Sequence, residues 1–227
     1  MAGKKYQDAT RRYDGQAMHE PEQGLDLVKT IASAKFDESI EISIRLGVDP
    51  RKADQMVRGT VALPSGTGQN VRVAVFAEGD AAAAAEAAGA DVVGAGDLAA
   101  RIEGGFTDFD IAIATPEMMP TVGKLGRVLG PRGLMPNPKS GTVTPDVAKA
   151  VGEFKGGKVE YRTDKFANVQ LAIGKASFEV AALVANFTTV IEELERARPA
   201  SAKGRYIQKV TLSSTMGPGI KIDLGAL

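Results

Sequence analysis

The chain has 227 residues, 44% hydrophobic and 25% charged, an ordinary balance for a soluble globular protein with room for a sizeable core. It has no cysteine and one histidine, His19 in a polar N-terminal stretch, which excludes disulfides, thiolate metal sites and a cysteine nucleophile and leaves little for a histidine triad or metal centre. No long apolar run points to a membrane span or secretion signal, so the cytoplasm is the expected compartment, and a formal net charge of zero argues at first sight against a polyanionic partner.

Residues 21–32, PEQGLDLVKTIA, place Leu25, Val28 and Ala32 on one face beside Leu27 and Ile31, the spacing of an amphipathic helix. The period then changes to two. Ile40, Ile42, Ile44 and Leu46 alternate with Ser39, Glu41, Ser43 and Arg45, which predicts a strand buried on one side, and residues 57–64 predict a second, antiparallel strand. From Val71 a different grammar sets in. VRVAVFA reads as a buried strand, AAAAAEAAGA as a helix, ADVVG as a short strand, DLAARIEGG as a helix and DFDIAIAT as a further buried strand. Such alternation predicts βαβ units around a parallel sheet covered on both faces. Half-exposed strands return with KVEYRT and NVQLAIG. Then Val180, Leu183, Val184, Phe187, Val190, Ile191 and Leu194 repeat at three and four, a strong helix with Pro199 just beyond its end. Two closing strands, RYIQKVTLS and GIKIDLG, complete the pattern.

The first segment is too short to bury its own apolar face, and the last shares its half-exposed style. The expectation is therefore a discontinuous α+β domain, residues 1–67 with 157–227, and an α/β domain, residues 68–156, inserted between its halves. Glycines stand at both crossings, Gly66 and Gly68 in PSGTGQ and Gly156 and Gly157 in KGGK. Two loops of one rigid body, or a hinge, would both fit. Charge also divides. Residues 1–66 carry ten Lys/Arg and ten Asp/Glu, residues 157–227 ten and seven, residues 67–156 eight and eleven, so the split domain is net positive and the insert net negative. Within that acidic insert, Lys124, Arg127, Arg132 and Lys139 lie between Glu117 and Asp146 without one acid. Around three of them, GRVLGPRGLMPNPKSGT (126–142) reads as a stiff basic loop, a solvated surface or a contact for phosphate.

Two nucleotide-binding patterns can be weighed. GLMPNPKS fails as a phosphate loop because Pro138, before Lys139, has no N–H to offer. DVVGAGDLAARI has the GxGxxA form of a dinucleotide fingerprint, but Asp97 would set a carboxylate where pyrophosphate must meet the helix N-terminus. Three further stretches, KFDES (35–39), TDKFAN (163–168) and SSTMGPG (213–219), are unremarkable one at a time. Phe36 reads as a core plug, Met216 as a gap-filler, and Asp164 and Asn168 as turn residues.

Together these stretches carry a resemblance. AKFDESIEISIRLGVDPRKADQMVRGTVALPSGTG, LGRVLGPRGLMPNPKSGTVTPDV, GKASF and KGRYIQKVTLSSTMGPG, in this order across nearly the whole chain, resemble the bacterial ribosomal protein L-one family of the mobile large-subunit stalk beside the tRNA exit site. The resemblance implies a sandwich-like α+β RNA-binding domain made from both chain ends and an inserted, Rossmann-like three-layer α/β domain, joined by a two-stranded hinge. It implies a non-enzymatic protein without cofactor or metal, ribosome-bound in the cytoplasm and monomeric when free, with no membrane partner. Its partners would be the stalk of large-subunit rRNA, exit-site tRNA and its own operon mRNA, whose translation such proteins often repress. The alternative is a Rossmann-type nucleotide-binding enzyme. Carried onto this sequence, the family's RNA-facing positions are Lys35, Phe36, Ser39, Asp164, Lys165, Ser214, Thr215, Met216 and Gly217. Lysines would meet phosphates, Ser39, Ser214 and Thr215 would exchange hydrogen bonds with 2′-hydroxyls, Phe36 and Met216 would offer apolar faces, and Gly217 would let the backbone approach. Lys124, Arg127, Arg132 and Lys139 would form a secondary RNA contact. Similar proteins read Arg-Asn-Asp-Lys and then a glycine-containing turn where this chain has RTDKFANVQ, so Thr163 and Ala167 predict a changed turn geometry.

Overall fold

In the computed structural model, which describes residues 3–226, the chain forms two compact units, one from residues 1–69 and 159–227 and one from residues 70–158. The first unit is built around the alternating strand of the sequence, β2. Its elements are α1 (Lys4–Arg11), β1 (Met18–His19), α2 (Pro21–Ile31), β2 (Ser39–Leu46) and β3 (Arg58–Ala62) from the first half. The second unit contributes β4 (Val73–Phe76), α3 (Gly79–Ala87), β5 (Val92–Gly94), α4 (Gly96–Glu103), β6 (Ile111–Ala114), α5 (Met119–Lys124), α6 (Gly126–Leu129) and α7 (Val147–Lys155). The chain then closes the first unit with β7 (Lys158–Arg162), β8 (Asn168–Lys175), α8 (Val180–Arg196), β9 (Ile207–Ser214) and β10 (Ile220–Ile222).

The first unit holds a five-stranded sheet in the order β1-β10-β9-β2-β8, while β3 and β7 pair in a separate two-stranded sheet. In the larger sheet β2 runs antiparallel to both β8 and β9, so strands from the two ends of the chain lie side by side at its centre. Ile40, Ile42, Ile44 and Leu46 are buried with Val169, Leu171, Val210, Leu212, Ile220 and Ile222. Against them lie Leu25 and Val28 of α2 and Leu183, Phe187, Val190 and Leu194 of α8, each spaced to put one helical stripe on the sheet. This single core joins the two ends of the chain. Neither half could bury its own apolar face alone, and at about 25 cal/mol per Å² of apolar surface that burial is the main force holding them together.

The second unit has a parallel sheet in the order β5-β4-β6. Alternate residues of β4 feed two cores: Ala74 and Phe76 pack with Leu98, Ile102, Val122 and Leu129, and Val73 and Val75 with Ala85, Val147, Val151 and Phe154. Helices therefore cover both faces, as near-continuous apolar strands require.

Four elements escape the periodicity of the sequence. Helix α1 is polar except for Tyr6 and buried Ala9; β1 is two residues long; α5 and α6 are only six and four residues long and each carries a glycine. Helix α7 was not anticipated either, although it carries a readable signal, since the Asp146 side chain accepts the Lys149 N–H as its cap.

Candidate nucleic-acid interface

Strands β2 and β9 are neighbours, and their register sets Ile40 opposite Ser214 and Glu41 opposite Ser213. The turn before β2 is thereby brought onto the turn after β9. Between them lies Glu38, 1% exposed, whose carboxylate accepts the Ser214 hydroxyl at 2.7 Å, the Met216 N–H at 2.9 Å and the Ala34 N–H at 2.7 Å. Burial disfavours the charge, but the hydrogen bonds from Ser214, Met216, Ala34 and Ser33 outweigh it and hold the Glu38 carboxyl below the usual glutamate range. Ser39 adds a second clasp: its N–H donates to Thr215 Oγ1 at 2.9 Å, its carbonyl accepts the Thr215 N–H at 3.0 Å, and its Oγ accepts from Lys175 Nζ at 2.8 Å. At Gly217 the chain passes so close that a Cβ would run into Ser214 Oγ.

With the interior so occupied, the apolar side chains point out. Phe36 is 57% and Met216 60% exposed, and Lys35 is exposed beside them. The core-plug and gap-filler readings of Phe36 and Met216 are thus overturned, because Glu38 and Ser39 take the inward positions of the turn. The structure also corrects the expectation for the hydroxyls: Ser39 and Ser214 are buried and bonded within the protein, and Thr215, though exposed, accepts the Ser39 N–H and donates to the Ser39 carbonyl through its own hydroxyl. Sequence reasoning missed Glu38, since carboxylates are rarely buried without a cationic partner.

From this knot the uncovered face of the sheet runs to the far end of β2, about 23 Å away at a strand rise of about 3.3 Å per residue. Register places Ser43 between Gln170 and Thr211, and Arg45 between Asn168 and Lys209. Arg45 and Lys209 are like charges directly opposite, a pairing that is unfavourable until an anion offsets it. Beyond them is the turn of TDKFAN. Asp164 Oδ1 accepts the N–H groups of Phe166 and Asn168, both at 2.8 Å, and Oδ2 accepts Asn168 Nδ2 at 3.0 Å. Burial raises the Asp164 pKa, and the bonds from Asn168 and Phe166 reverse that and hold it below the usual range. Ala167 takes φ 63°, the only positive φ of a non-glycine residue among those described. Lys165 and Phe166 stand out from the turn, with Lys165 Nζ 5.1 Å from the Phe166 ring centre, on a groove of about 650 Å³ shared with Arg45, Arg51, Lys52 and Lys203. These last four were not singled out from the sequence, where they are dispersed among ordinary charged positions.

In the second unit Lys124, Arg127, Arg132 and Lys139 are exposed, and none of them makes a salt bridge to an acid among the described residues; Arg132 donates to Thr107 Oγ1. The expected stiff loop contains the single turn α6 and a 3₁₀ turn, Pro138–Ser140, capped by Asn137. Buried Ser140 and Thr142 both donate to the Asn137 carbonyl, which fastens the loop from inside. At the start of α4 the Asp97 carboxylate accepts the Ala95 N–H at 2.9 Å, so the GxGxxA turn meets its own acid where an anion would sit. Bonds from Ala95 and Leu98 hold that carboxyl below the usual range. Of the crossing glycines, Gly66, Gly68 and Gly157 have φ 67°, 67° and 108°, whereas Gly156 closes α7 at φ −75°. Among the described residues no cluster of His, Cys, Asp or Glu could hold a metal ion, and no helix is long and apolar enough to cross a membrane.

The first unit therefore offers an open sheet face with a basic, partly apolar patch at each end, a surface suited to an extended polyanion with accessible apolar groups. Residues 27–218 match the Ribosomal protein L1p/L10e family. The chain is 59% identical over 222 residues to the large ribosomal subunit protein uL1 of Mycobacteroides abscessus, covering 98% of this chain and 94% of that one. The proteins of the same name from Corynebacterium efficiens and Cutibacterium acnes are each 58% identical over 220 residues, covering 97% of this chain and 93% and 95% of theirs. The chain belongs to the Ribosomal protein L1p/L10e family.

Proposed function

We propose that this chain is a structural protein of the large ribosomal subunit, in the cytoplasm, that binds the stalk of large-subunit rRNA directly through its first unit. The observation that carries this reading is the pair Phe36 and Met216, held out into solvent beside Lys35 by the buried Glu38. Exposing two large apolar side chains is costly without a ligand, and a folded RNA supplies unstacked bases and sugar edges for them and phosphates for Lys35 and Lys165. Ser39, Ser214, Thr215, Gly217 and Asp164 act by shaping the two turns. The glycines at the crossings support a hinge between an RNA-binding domain of residues 1–67 with 157–227 and a Rossmann-like domain of residues 68–156. Through it, Lys124, Arg127, Arg132 and Lys139 reach a second RNA, on the stalk or the exit-site tRNA. The same face would bind a stalk-like fold in the operon's own mRNA, repressing its translation.

The experiment is binding of the chain to a stalk rRNA fragment across a salt series. Phe36→Ala and Met216→Ala weaken binding about tenfold or more with an unchanged salt slope, whereas Lys35→Ala lowers the slope by about one unit. Wild-type affinity in all three variants would place the interface elsewhere.

A further inference from the structure

The N-terminal sequence KKYQDATR carries no core signal, yet it folds as α1 and returns to the Phe36 patch. Ala9 is buried in the core of the first unit and Tyr13 packs on it. At the other end of the helix Lys5 Nζ donates to the Ser33 carbonyl at 3.0 Å, in the same turn that Glu38 secures through Ala34. Between α1 and the two binding turns lies a groove of about 670 Å³, lined by Lys4, Lys5, Tyr6, Lys35, Phe36 and Met216 together with small residues. Its walls are a phenol ring, a phenyl ring and a thioether; Tyr6 is 40% exposed. Three lysines rim it and no carboxylate lines it.

From this geometry we infer that α1 is a third element of the RNA-binding site: Tyr6, with Phe36 and Met216, receives one unpaired base, and Lys4 and Lys5 hold its flanking phosphates. The inference rests on the RNA-binding reading above. Charge decides the occupant. An apolar peptide segment or a lipid tail would fill the walls but leave the lysine rim unmatched. A splayed nucleotide satisfies both, since a flat π-face suits an aromatic and thioether slot and each base brings a phosphate on either side. The volume accommodates a base with its sugar and is too small for a duplex.

The test uses the full chain and the stalk rRNA fragment, with 2-aminopurine placed at each unpaired position in turn. One position is expected to be quenched on binding. Tyr6→Ala should abolish that quench and weaken binding about tenfold, Tyr6→Phe should retain both, and Lys4→Ala with Lys5→Ala should lower the salt slope by about two units. Because α1 is anchored through Ala9 and Tyr13, Tyr6→Ala should leave the unfolding midpoint unchanged. Wild-type quench and affinity in Tyr6→Ala while Phe36→Ala binds weakly would overturn the role of α1 and leave the RNA face standing. If neither substitution changes binding, the RNA face itself falls and this inference with it.

Discussion

At one end of β2 the turn 33–39 is tied to the turn 213–217 through a buried carboxylate; at the other end the turn 163–168 is tied mainly to itself through Asp164. The first arrangement is long-range, joining segments far apart in sequence, and its anchor is 1% exposed. The second is local, with acceptor and donors within four residues. Hydrogen bonds made inside a low-dielectric cluster are stronger, and each becomes expensive if its partner is removed. The same number of bonds near solvent can be exchanged for water. The Phe36 end should thus be rigid before its ligand arrives, and the Lys165 end adaptable.

Removing the buried anchor should break the contrast. Glu38→Ala leaves the Ser214 O–H and the N–H groups of Met216 and Ala34 without their acceptor, at about 1–3 kcal/mol for each unsatisfied group, so a loss of about 3 kcal/mol or more in denaturant unfolding is expected. Loss of RNA affinity should exceed that of Phe36→Ala, since both turns lose their shape. The acid limb gives an independent readout. A carboxyl whose folded pKa is depressed contributes stability that is present above its unfolded pKa and is lost as pH falls through the folded value. Glu38→Gln should therefore show a shallower loss of stability below the ordinary glutamate range than the wild type. Identical acid profiles would remove Glu38 as the anchor.

A smaller effect is expected at Gly217, where the added methyl of Gly217→Ala must displace a Ser214 hydroxyl pinned by Glu38. Overpacking of this kind costs about 1–3 kcal/mol. Coupling can be read directly: with Ser214→Ala in place the obstructing oxygen is gone, so the double variant should be less destabilised than the sum of the two single ones. Strict additivity would show that Gly217 serves something other than this close approach.

How much of this could be read beforehand differs between scaffold and site. Regular burial leaves a regular trace: the alternation from Ile40 to Leu46 and the three-four spacing from Val180 to Leu194 gave β2 and α8, and the β-branched runs after Val71 gave a covered parallel sheet. The interface has no such trace, because it depends on a reversal of the usual preferences. In KFDES the carboxylate is buried and the phenylalanine exposed, opposite to what either residue type suggests. The pairing of β2 with β9 adds the Ser214 and Met216 donors to the local Ala34 N–H, and those two lie 176 and 178 positions from Glu38. The other cations of the far groove escaped for a related reason. Arg45, Lys52 and Lys203 are separate in sequence and meet Lys165 only when the antiparallel register is set.

The smallest effect belongs to the local turn, and three opposing magnitudes set it. Ala167 holds φ 63° and is 4% exposed, with its carbonyl accepting the Leu46 N–H at 2.9 Å. A left-handed backbone costs an L-residue about 1–2 kcal/mol, which glycine would recover. Against this, glycine loses about 0.5–1 kcal/mol more chain entropy on folding, and deleting a buried methyl costs about 0.8 kcal/mol. Ala167→Gly should therefore change stability by less than about 1 kcal/mol, while freeing the turn that carries Lys165 and Phe166. If that end is adaptable, RNA affinity falls by less than about threefold, because a turn that moulds itself on the ligand loses little by starting looser. A loss of affinity as large as that of Phe36→Ala would mean that the strained alanine pre-shapes the Lys165 end as rigidly as Glu38 shapes the other, and the contrast between them would fail.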